Sequence, residues 1–255
     1  MAKSSAGQSV LTRVMRVLEA FEKETHVLTA SQIARRADLS VPTAHRLVAE
    51  LVKLGLLERD SDHRVRVGVR LWEIAARAPR ALGLREAAMP FMEDLHAATR
   101  QHTQLGVLAG KEVLFIERLS ARNAVINVTE IGGRLPVHAS SGGLVLLAHS
   151  DRVLQEEVME SPLRRYTRNT PTNPRRLREL LAAIRAHGYV ICDGFIHPDA
   201  MGIAVPVHGA DNSVVAALAV VVPSKDSQPM MHVPALIAAA RGITRAMGAT
   251  PQPRR

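Results

Sequence analysis

The sequence predicts an α+β protein of two domains: a helical N-terminal domain that ends in a β-hairpin, and a larger C-terminal domain in which helices pack on a sheet. Its length of 255 residues suits two domains, because one soluble domain usually takes roughly 100–200 residues. The first eighty residues carry apolar side chains mainly at helical spacing, followed by two short strand-like runs. Beyond them, strands and helices mix without strict alternation, which favours an α+β sheet over a doubly wound one.

Composition bounds the class of protein. Hydrophobic residues make up 47% of the chain and aromatic residues only 3%, so the predicted cores are aliphatic. The single cysteine, Cys192, rules out an internal disulfide framework and fits a reducing cytoplasm. The first ten residues lack the apolar stretch of a signal peptide, and no apolar run approaches the ~20 residues of a spanning helix. We therefore expect a cytoplasmic protein without a membrane partner.

The chain is basic, with a net charge of +9. Residues 1–80 hold 14 Lys and Arg against 9 Asp and Glu, whereas the much longer remainder holds 19 against 15. Positive charge is therefore denser in the N-terminal domain, which suggests a polyanionic partner. A later basic cluster is interpreted as a solvated surface, with direct DNA contact as the alternative. It comprises Arg164, Arg165, Arg168, Arg175, Arg176 and Arg178.

Two helices open the N-terminal domain. Residues around 9–23 are predicted to form an amphipathic helix capped by Ser9. Its apolar face consists of Val10, Val14, Val17, Leu18 and Phe21. Thr29 and Gln32 have the spacing of a capping box, which predicts the start of a second helix that ends at residues 38–40.

A third helix follows the second almost at once. Ser40 is the predicted N-cap, Pro42 is tolerated in the first turn, and Gly55 marks the end. Its buried stripe is predicted to be Ala44, Leu47, Val48, Leu51 and Leu54. Two short helices joined by a tight turn, the second polar and basic at its start, are the design of a helix-turn-helix, whose second helix enters the major groove of DNA.

A β-hairpin after the third helix completes the predicted winged helix-turn-helix. Strands at 56–59 and 64–67 flank the turn residues 60–63. Arginines on this wing would meet the phosphate backbone or the minor groove. The predicted DNA-binding residues are Ser40, Pro42, Thr43, His45, Arg46, Arg59, Arg64 and Arg66. A three-helix bundle whose basic face is only solvated remains the alternative.

The C-terminal domain is predicted to combine helices and short strands. Helices are expected at 84–99, from Asn173 and Pro174 to 186, at 233–247, and at the apolar residues 144–148 after a Ser-Ser-Gly-Gly turn. Strands are expected at 103–109, 112–119, 125–131, 189–192, 202–207 and 214–222. Gly110 and Lys111 suit a tight hairpin between the first two strands, and Gly188 suits a helix end.

The chain resembles the IclR (isocitrate-lyase regulator) family over nearly its whole length. The N-terminal match is LTASQIARRADLSVPTAHRLVAELVKLGLLERDSDHRVRVGVRLWEIA, and the C-terminal matches are RLPVHASSGGLVLLA, LAAIRAHGYVICDGFIHPDAMGIAVPV and SVVAALAVVVP. The resemblance implies a DNA-binding domain at 1–68 and a linker helix at 69–82, within a helix predicted over 69–80 whose end Pro79 and Gly83 mark. It also implies a GAF/PAS-like mixed α/β effector-binding domain at 83–250.

By this resemblance, a small organic effector binds between the loop before the 144–148 helix and the segment before the strand at 202–207. The effector-binding residues it implies are Leu135, Ser141, Gly142, Cys192, Asp193 and Gly202. Backbone donors of a Ser-Ser-Gly-Gly turn at a helix N-terminus form a cradle for an anion. These observations predict a carboxylate ligand, against the alternative that the glycines only permit a tight turn.

The chain also departs from the family pattern in this region. The family commonly has an acidic residue at Cys192, a Glu pair at Gly194 and Phe195, a Ser or Cys at Gly202, and a Lys at Leu144. Without these polar groups the predicted pocket suits a tiny, highly polar acid less well. We therefore expect a larger or partly apolar ligand, such as an aromatic acid.

Catalytic and metal sites are disfavoured by the sequence. Cys192 lies near His187 and His197, but proximity in sequence shows neither contact nor an oxyanion site, so a core cysteine is favoured over a nucleophile or redox sensor. The histidines lack the paired spacing of a zinc site, and no P-loop, G-x-S-x-G or strand-linked G-x-G-x-x-G occurs. We expect no catalytic residue, metal or cofactor. The competing hypothesis is a ligand-binding protein or enzyme for a small metabolite, with N-terminal helices used for assembly.

The predicted function is that of an effector-controlled transcriptional regulator, specifically a repressor. A homodimer or a dimer of dimers would present two recognition helices to a palindromic double-stranded operator. Effector binding would favour one conformation of the sensor domain and thereby change operator affinity.

Overall fold

The computed structural model describes residues 9–21, 25–77, 79–121, 125–225 and 228–248. The chain divides into two compact units, a first unit at Met1–Pro79 and a second unit at Arg80–Arg255. The predicted α+β class, with an N-terminal helix-turn-helix and a C-terminal mixed α/β domain, is confirmed. Within the described residues, no helix has both the length and the apolar character needed to cross a bilayer.

The first unit contains a three-helix core followed by a hairpin. Its elements are α1 (Val10–Glu19), α2 (Ala30–Arg36), α3 (Val41–Lys53), β1 (Leu57–Arg59), β2 (Val65–Val67) and α4 (Val69–Ala75). Thr29 and Gln32 form the predicted capping box at the start of α2. β1 and β2 pair antiparallel, and Leu28 forms an isolated bridge to Val65 that ties the hairpin to the chain before α2.

The aliphatic core of this unit holds α3 against its neighbours. Val17, Ile33, Val48 and Val65 are fully buried from α1, α2, α3 and β2 respectively. Burying each such side chain stabilises the fold by about 1.5–3 kcal/mol. One side of α3 is therefore locked into the core, and its opposite side is left to solvent.

Backbone segments meet closely where the hairpin returns to α3. Gly55 follows α3 with a φ of +74°, a left-handed conformation that favours glycine. The Gly68 N–H donates to Leu56 O at 2.9 Å. A Cβ on Gly68 would lie 2.2 Å from Gly55 O, so a side chain does not fit at position 68. This contact anchors the base of the wing to the end of α3.

The single helix predicted over 69–80 is wrong. α4 ends at Ala75, and a new helix, α5 (Pro79–Thr99), starts at the proline that was expected to mark an end. Proline lacks an N–H and fits the first turn of a helix, so it begins α5. Gly83 lies within α5. The helix predicted around 9–23 also ends earlier, at Glu19, and residues 22–24 lie outside the described residues.

A six-stranded antiparallel sheet forms the centre of the second unit. Its strands are β3 (His102–Ala109), β4 (Glu112–Leu119), β5 (Arg134–Pro136), β6 (Val190–Asp193), β7 (Ala200–His208) and β8 (Val214–Pro223). They lie in the order β5-β4-β3-β8-β7-β6. Gly110 adopts a φ of +64° in the tight turn predicted between β3 and β4.

Helices cover both faces of this sheet. They are α5, α6 (Ser141–Ala148), α7 (Arg152–Glu160), α8 (Pro174–His187) and α9 (Pro229–Ala246). α6 and α8 share one aliphatic core with one sheet face, whereas α5 and α9 share another with the opposite face. All eight residues of α6 are buried, as expected of a helix that is apolar around its whole circumference. The sequence analysis missed α7 and the first turn of α9.

The strand predicted over 125–131 is also wrong. This segment pairs with no strand, because its polar side chains bond locally instead. Asn127 Oδ1 accepts the Thr129 N–H at 3.1 Å. Val125 O lies 2.9 Å from His102 Nε2. Residues 125–129 therefore form a loop between β4 and β5, held to β3 by side chains.

Candidate DNA interface and ligand cavity

The exposed side of α3 carries the residues predicted to contact DNA. Pro42, His45 and Arg46 are exposed and Thr43 is half-buried, while Ala44, Leu47, Val48 and Leu51 face the core. Ser40 occupies the N-cap position, but its side chain makes no cap bond. Its hydroxyl donates instead to Thr43 Oγ1 at 2.8 Å, which places two hydroxyls together at the start of the helix. Val41, which the sequence analysis passed over, is 48% exposed beside them.

Arg46 projects from the middle of this exposed side. Within the described part of the chain it makes no hydrogen bond or ion pair. A guanidinium in this state has five donors available, and arginine pairs bidentately with guanine in the major groove. α3 therefore presents an uncompensated cation beside short hydroxyl side chains, as a recognition helix requires.

The wing arginines are more constrained than the sequence suggested. Arg64 lies 3.3 Å from Asp60 and 2.9 Å from Asp62, and Arg66 lies 2.8 Å from Glu58. The hydrogen bond from Arg66 lowers the pKa of the Glu58 carboxyl. These acids compensate two of the three arginines of the wing. Arg59, exposed and with no ion pair among the described residues, is the one left available to a phosphate.

The second unit encloses a cavity on the face of the sheet that carries α6. The cavity has about 490 Å³ of empty space, part of it open to solvent. Every strand contributes one or more lining residues. In sheet order these include Leu135, Phe115, Gln104, Val221, Gly202 and Cys192. The cavity therefore spans the full width of the sheet.

The N-terminus of α6 closes one side of this cavity. Ser140 caps the helix by accepting the Gly143 N–H at 3.2 Å, and Ser141 and Gly142 line the cavity. The first N–H groups of a helix have no acceptors within it and favour an anion. A Cβ on Gly202 would lie 2.6 Å from Ser141 Oγ. The Ser141 hydroxyl thus occupies space that a side chain at position 202 would need.

Two loops complete the cavity wall. Residues 126–129 precede β5, and residues 195–197 precede β7. They add mostly apolar side chains with a few polar groups: Ile126, Asn127, Val128, Thr129, Phe195, Ile196 and His197. An apolar enclosure with few polar groups suits a small organic ligand.

The structure brings together five of the six residues implied by the family resemblance. Leu135, Ser141, Gly142, Cys192 and Gly202 line the cavity, whereas Asp193 does not. Successive side chains of a strand point to opposite faces of a sheet. Since Cys192 faces the cavity from β6, Asp193 points away, and its carboxylate accepts a hydrogen bond from Ser224. Asp193 is therefore misplaced by the resemblance.

The buried thiol of Cys192 is poorly suited to nucleophilic chemistry. Burial raises the pKa of this thiol well above its usual value, which keeps it protonated at neutral pH. Among the described residues, no group of three or more His, Cys, Asp or Glu side chains is arranged to hold a metal ion.

Sequence reasoning missed the polar groups of the cavity wall. Gln104, Asn127, Thr129 and His197 line the cavity but were not predicted to do so. One pattern pointed to the first of them. His102 and Gln104 alternate at the start of β3, which places both on the same face of an otherwise apolar strand. Both are buried, and buried polar residues commonly have partners or ligands.

His102 makes the cavity loop sensitive to acid. Ala121 N–H donates to His102 Nδ1 at 3.3 Å, so Nε2 carries the proton that Val125 O accepts. Burial lowers the pKa of this imidazole. The unfolded chain therefore takes up a proton near pH 6.5, its ordinary imidazole pKa, before the folded one does. Stability is retained above about pH 6.5 and falls as the pH drops towards the folded-state pKa.

We expect His102→Gln to lower stability at pH 7.5 and to weaken its decline between pH 7 and 5. Thermal unfolding of the parent and the variant across this range measures the effect. His187→Gln, at an exposed position, is the matched control. An identical pH dependence in parent and His102→Gln would contradict the role given to this imidazole.

Comparison with known families matches both units of the chain. Residues 76–245 match the family described as "Bacterial transcriptional regulator IclR C-terminal". Residues 10–61 match the "IclR helix-turn-helix domain". Together the two matches cover most of the described residues.

Individual relatives agree with this result. The HTH-type transcriptional regulator BhcR of Paracoccus denitrificans is 31% identical over 251 residues, covering 96% of this chain and 90% of that protein. The Pca regulon regulatory protein of Pseudomonas putida is 28% identical over 220 residues, covering 82% and 72%. A crystal structure of an IclR homolog from Microbacterium hydrocarbonoxydans, complexed with 4-hydroxybenzoate, is 48% identical with a TM-score of 0.89 and covers 95% and 100%.

Proposed function

Because the chain belongs to the IclR family of transcriptional regulators, we propose that it is a repressor whose operator affinity is set by an aromatic carboxylate bound in the cavity of the second unit. Its curated relatives are HTH-type regulators, and the chain is a DNA-binding regulator like them. The repressor role and the class of effector are our proposal.

The composition of the cavity wall supports an aromatic carboxylate most directly. Phe115, Ile126, Val128 and Phe195 offer apolar surface to a ring, and the N-terminus of α6 offers donors to a carboxylate. The solved relative that is 48% identical was crystallised with 4-hydroxybenzoate, a molecule of this class. The polar family residues absent at Cys192 and Gly202 favour the same choice.

The proposed mechanism couples this cavity to operator affinity. A ligand between α6 and the two loops favours the sheet conformation that encloses it, and such coupling is typically ~1–3 kcal/mol, or roughly 5–150-fold in affinity. A homodimer or dimer of dimers would contact half-sites about one helical turn apart. Cys192 is assigned packing rather than turnover, since its pKa is raised by burial.

On the DNA side, Ser40, Pro42, Thr43, His45 and Arg46 are proposed to position α3 in the groove. We expect Arg46→Ala to lose about 1–3 kcal/mol of discrimination between operator and random duplex, the usual worth of a bidentate base contact. Binding of both duplexes by fluorescence anisotropy over a range of salt concentrations measures this discrimination.

The wing provides the matched control for that experiment. Arg59→Ala removes an exposed arginine proposed to contact phosphate, so it should weaken operator and random duplex about equally and reduce the salt slope by about one. If Arg46→Ala kept the parent's preference for its operator, α3 would not be the recognition helix.

Ligand control is tested with the full chain on an operator isolated by selection from random duplexes. Adding 4-hydroxybenzoate should change operator affinity by a factor within the range above, whereas an aliphatic acid of similar size should not. Operator affinity that is indifferent to every aromatic acid tried would refute the proposed effector class.

A further inference from the structure

Three polar side chains form a hydrogen-bonded chain on the cavity wall. Thr129 Oγ1 lies 2.6 Å from Gln104 Oε1 and 2.7 Å from Asn127 Oδ1. Gln104 comes from β3, and the other two come from the loop before β5. All three line the cavity. We call them the Gln104–Thr129–Asn127 chain.

Proton counting determines the direction of these bonds. A threonine hydroxyl has one hydrogen, so it cannot donate to two amide oxygens at once. Asn127 Oδ1 also accepts the Thr129 backbone N–H, which fixes the orientation of the Asn127 amide. The amide of Gln104 must then be turned, since its oxygen and nitrogen are interchangeable in shape. Its Nε2 donates to Thr129 Oγ1, and Thr129 Oγ1 donates to Asn127.

This assignment leaves one donor and one acceptor without partners. Asn127 Nδ2 is buried and has no hydrogen-bond partner among the described residues. The Gln104 oxygen, once turned, likewise has none within the part of the chain that the structure describes. Buried polar groups in native proteins are nearly always paired, so an unpaired donor beside an unpaired acceptor in a cavity wall indicates a ligand group that satisfies both.

A hydroxyl group is the simplest ligand group that both accepts and donates a hydrogen bond. A carboxylate only accepts, and it is already served by the N-terminus of α6. We infer that the Gln104–Thr129–Asn127 chain recognises a hydroxyl on the effector, so that the ligand class is a hydroxylated aromatic acid. This inference rests on the proposed function and adds the determinant that separates such acids from unsubstituted ones.

The test compares three acids on the full chain by isothermal titration calorimetry. They are benzoate, 4-hydroxybenzoate and 4-methoxybenzoate, whose ether oxygen accepts but cannot donate. We expect the hydroxy acid to bind at least tenfold more tightly than the other two, because each of those leaves a buried cavity group unpaired.

Two variants assign this preference to the chain of side chains. Gln104→Met keeps length and removes the acceptor, and Thr129→Val keeps shape and removes the hydroxyl that orders both amides. Each should weaken 4-hydroxybenzoate about tenfold and change benzoate less than threefold. Ile126→Leu, on the same wall without a polar group, is the matched control and should alter both acids alike. Thermal unfolding without ligand reports whether each variant is folded.

The outcomes separate this inference from the proposed function. Equal affinity for benzoate and 4-hydroxybenzoate, or an unchanged preference in folded Gln104→Met and Thr129→Val proteins, would overturn the inference while the effector class stands. No binding of any of the three acids would overturn both.

Discussion

Gly143→Ala is expected to lower the unfolding free energy of the second unit by about 3 kcal/mol and to abolish effector binding. Within a helix such a change normally stabilises by about 0.5–1 kcal/mol, so the expected sign is reversed. The added Cβ would lie 2.6 Å from Val137 Cα and 2.8 Å from Val137 O. Both are backbone atoms that cannot rotate away, and overpacking of this kind costs about 1–3 kcal/mol or more.

The consequence for the ligand follows from the position of Gly143. Its N–H is the one that Ser140 caps, at the start of the helix that closes the cavity. Displacing α6 would misalign the donors proposed for the carboxylate. Urea denaturation and calorimetric titration with 4-hydroxybenzoate measure the two effects.

The neighbouring glycine supplies the control. A Cβ on Gly142 would have its nearest neighbour at 3.7 Å, the Ala217 Cβ, which is ordinary contact. Gly142→Ala should therefore fold with near-parental stability and affect only the ligand. A Gly143→Ala protein as stable as the parent would show that α6 does not approach Val137 as described.

Gly68→Ala is expected to do the reverse, removing DNA binding while effector binding persists. Its Cβ would overlap Gly55 O at 2.2 Å and crowd Leu56. Relief requires the wing to move away from α3, at a cost of about 2–3 kcal/mol to the first unit. Operator affinity by anisotropy should fall at least tenfold, because both proposed DNA-contacting elements lose their relative placement.

Gly83→Ala is the matched change for this experiment. No atom lies within 4 Å of a Cβ at that position, and helix propensity favours alanine, so stability and DNA binding should be retained or slightly improved. If Gly68→Ala bound the operator normally, the close approach of residues 55 and 68 would be irrelevant to the interface.

Local chemistry accounts for what the sequence predicted well. The capping box at Thr29, the Asn173 cap followed by Pro174, and the left-handed Gly188 each involve residues within a few positions of one another. Such patterns placed α2, α3 and α8, and period-2 apolar runs placed most strands. The family resemblance, rather than any spacing, indicated the residues around the cavity.

Long-range contacts account for what the sequence did not predict. The segment at 125–131 has strand-like alternation, but partners from another strand decide its conformation: Gln104 bonds Thr129, and His102 bonds the segment through Val125. The ion pairs of the wing connect residues up to eight positions apart across the hairpin. No periodicity indicates which charges such a fold brings together.

The distribution of the cavity wall between sheet and loops has an evolutionary consequence. The strands supply the floor and share the cores that hold the second unit together, so most changes there carry a folding cost. The segments 126–129 and 195–197 belong to no strand and carry most of the side chains that distinguish one metabolite from another. A descendant of this chain can therefore acquire a new inducer through a few substitutions in these two segments, while the scaffold beneath them is inherited unchanged.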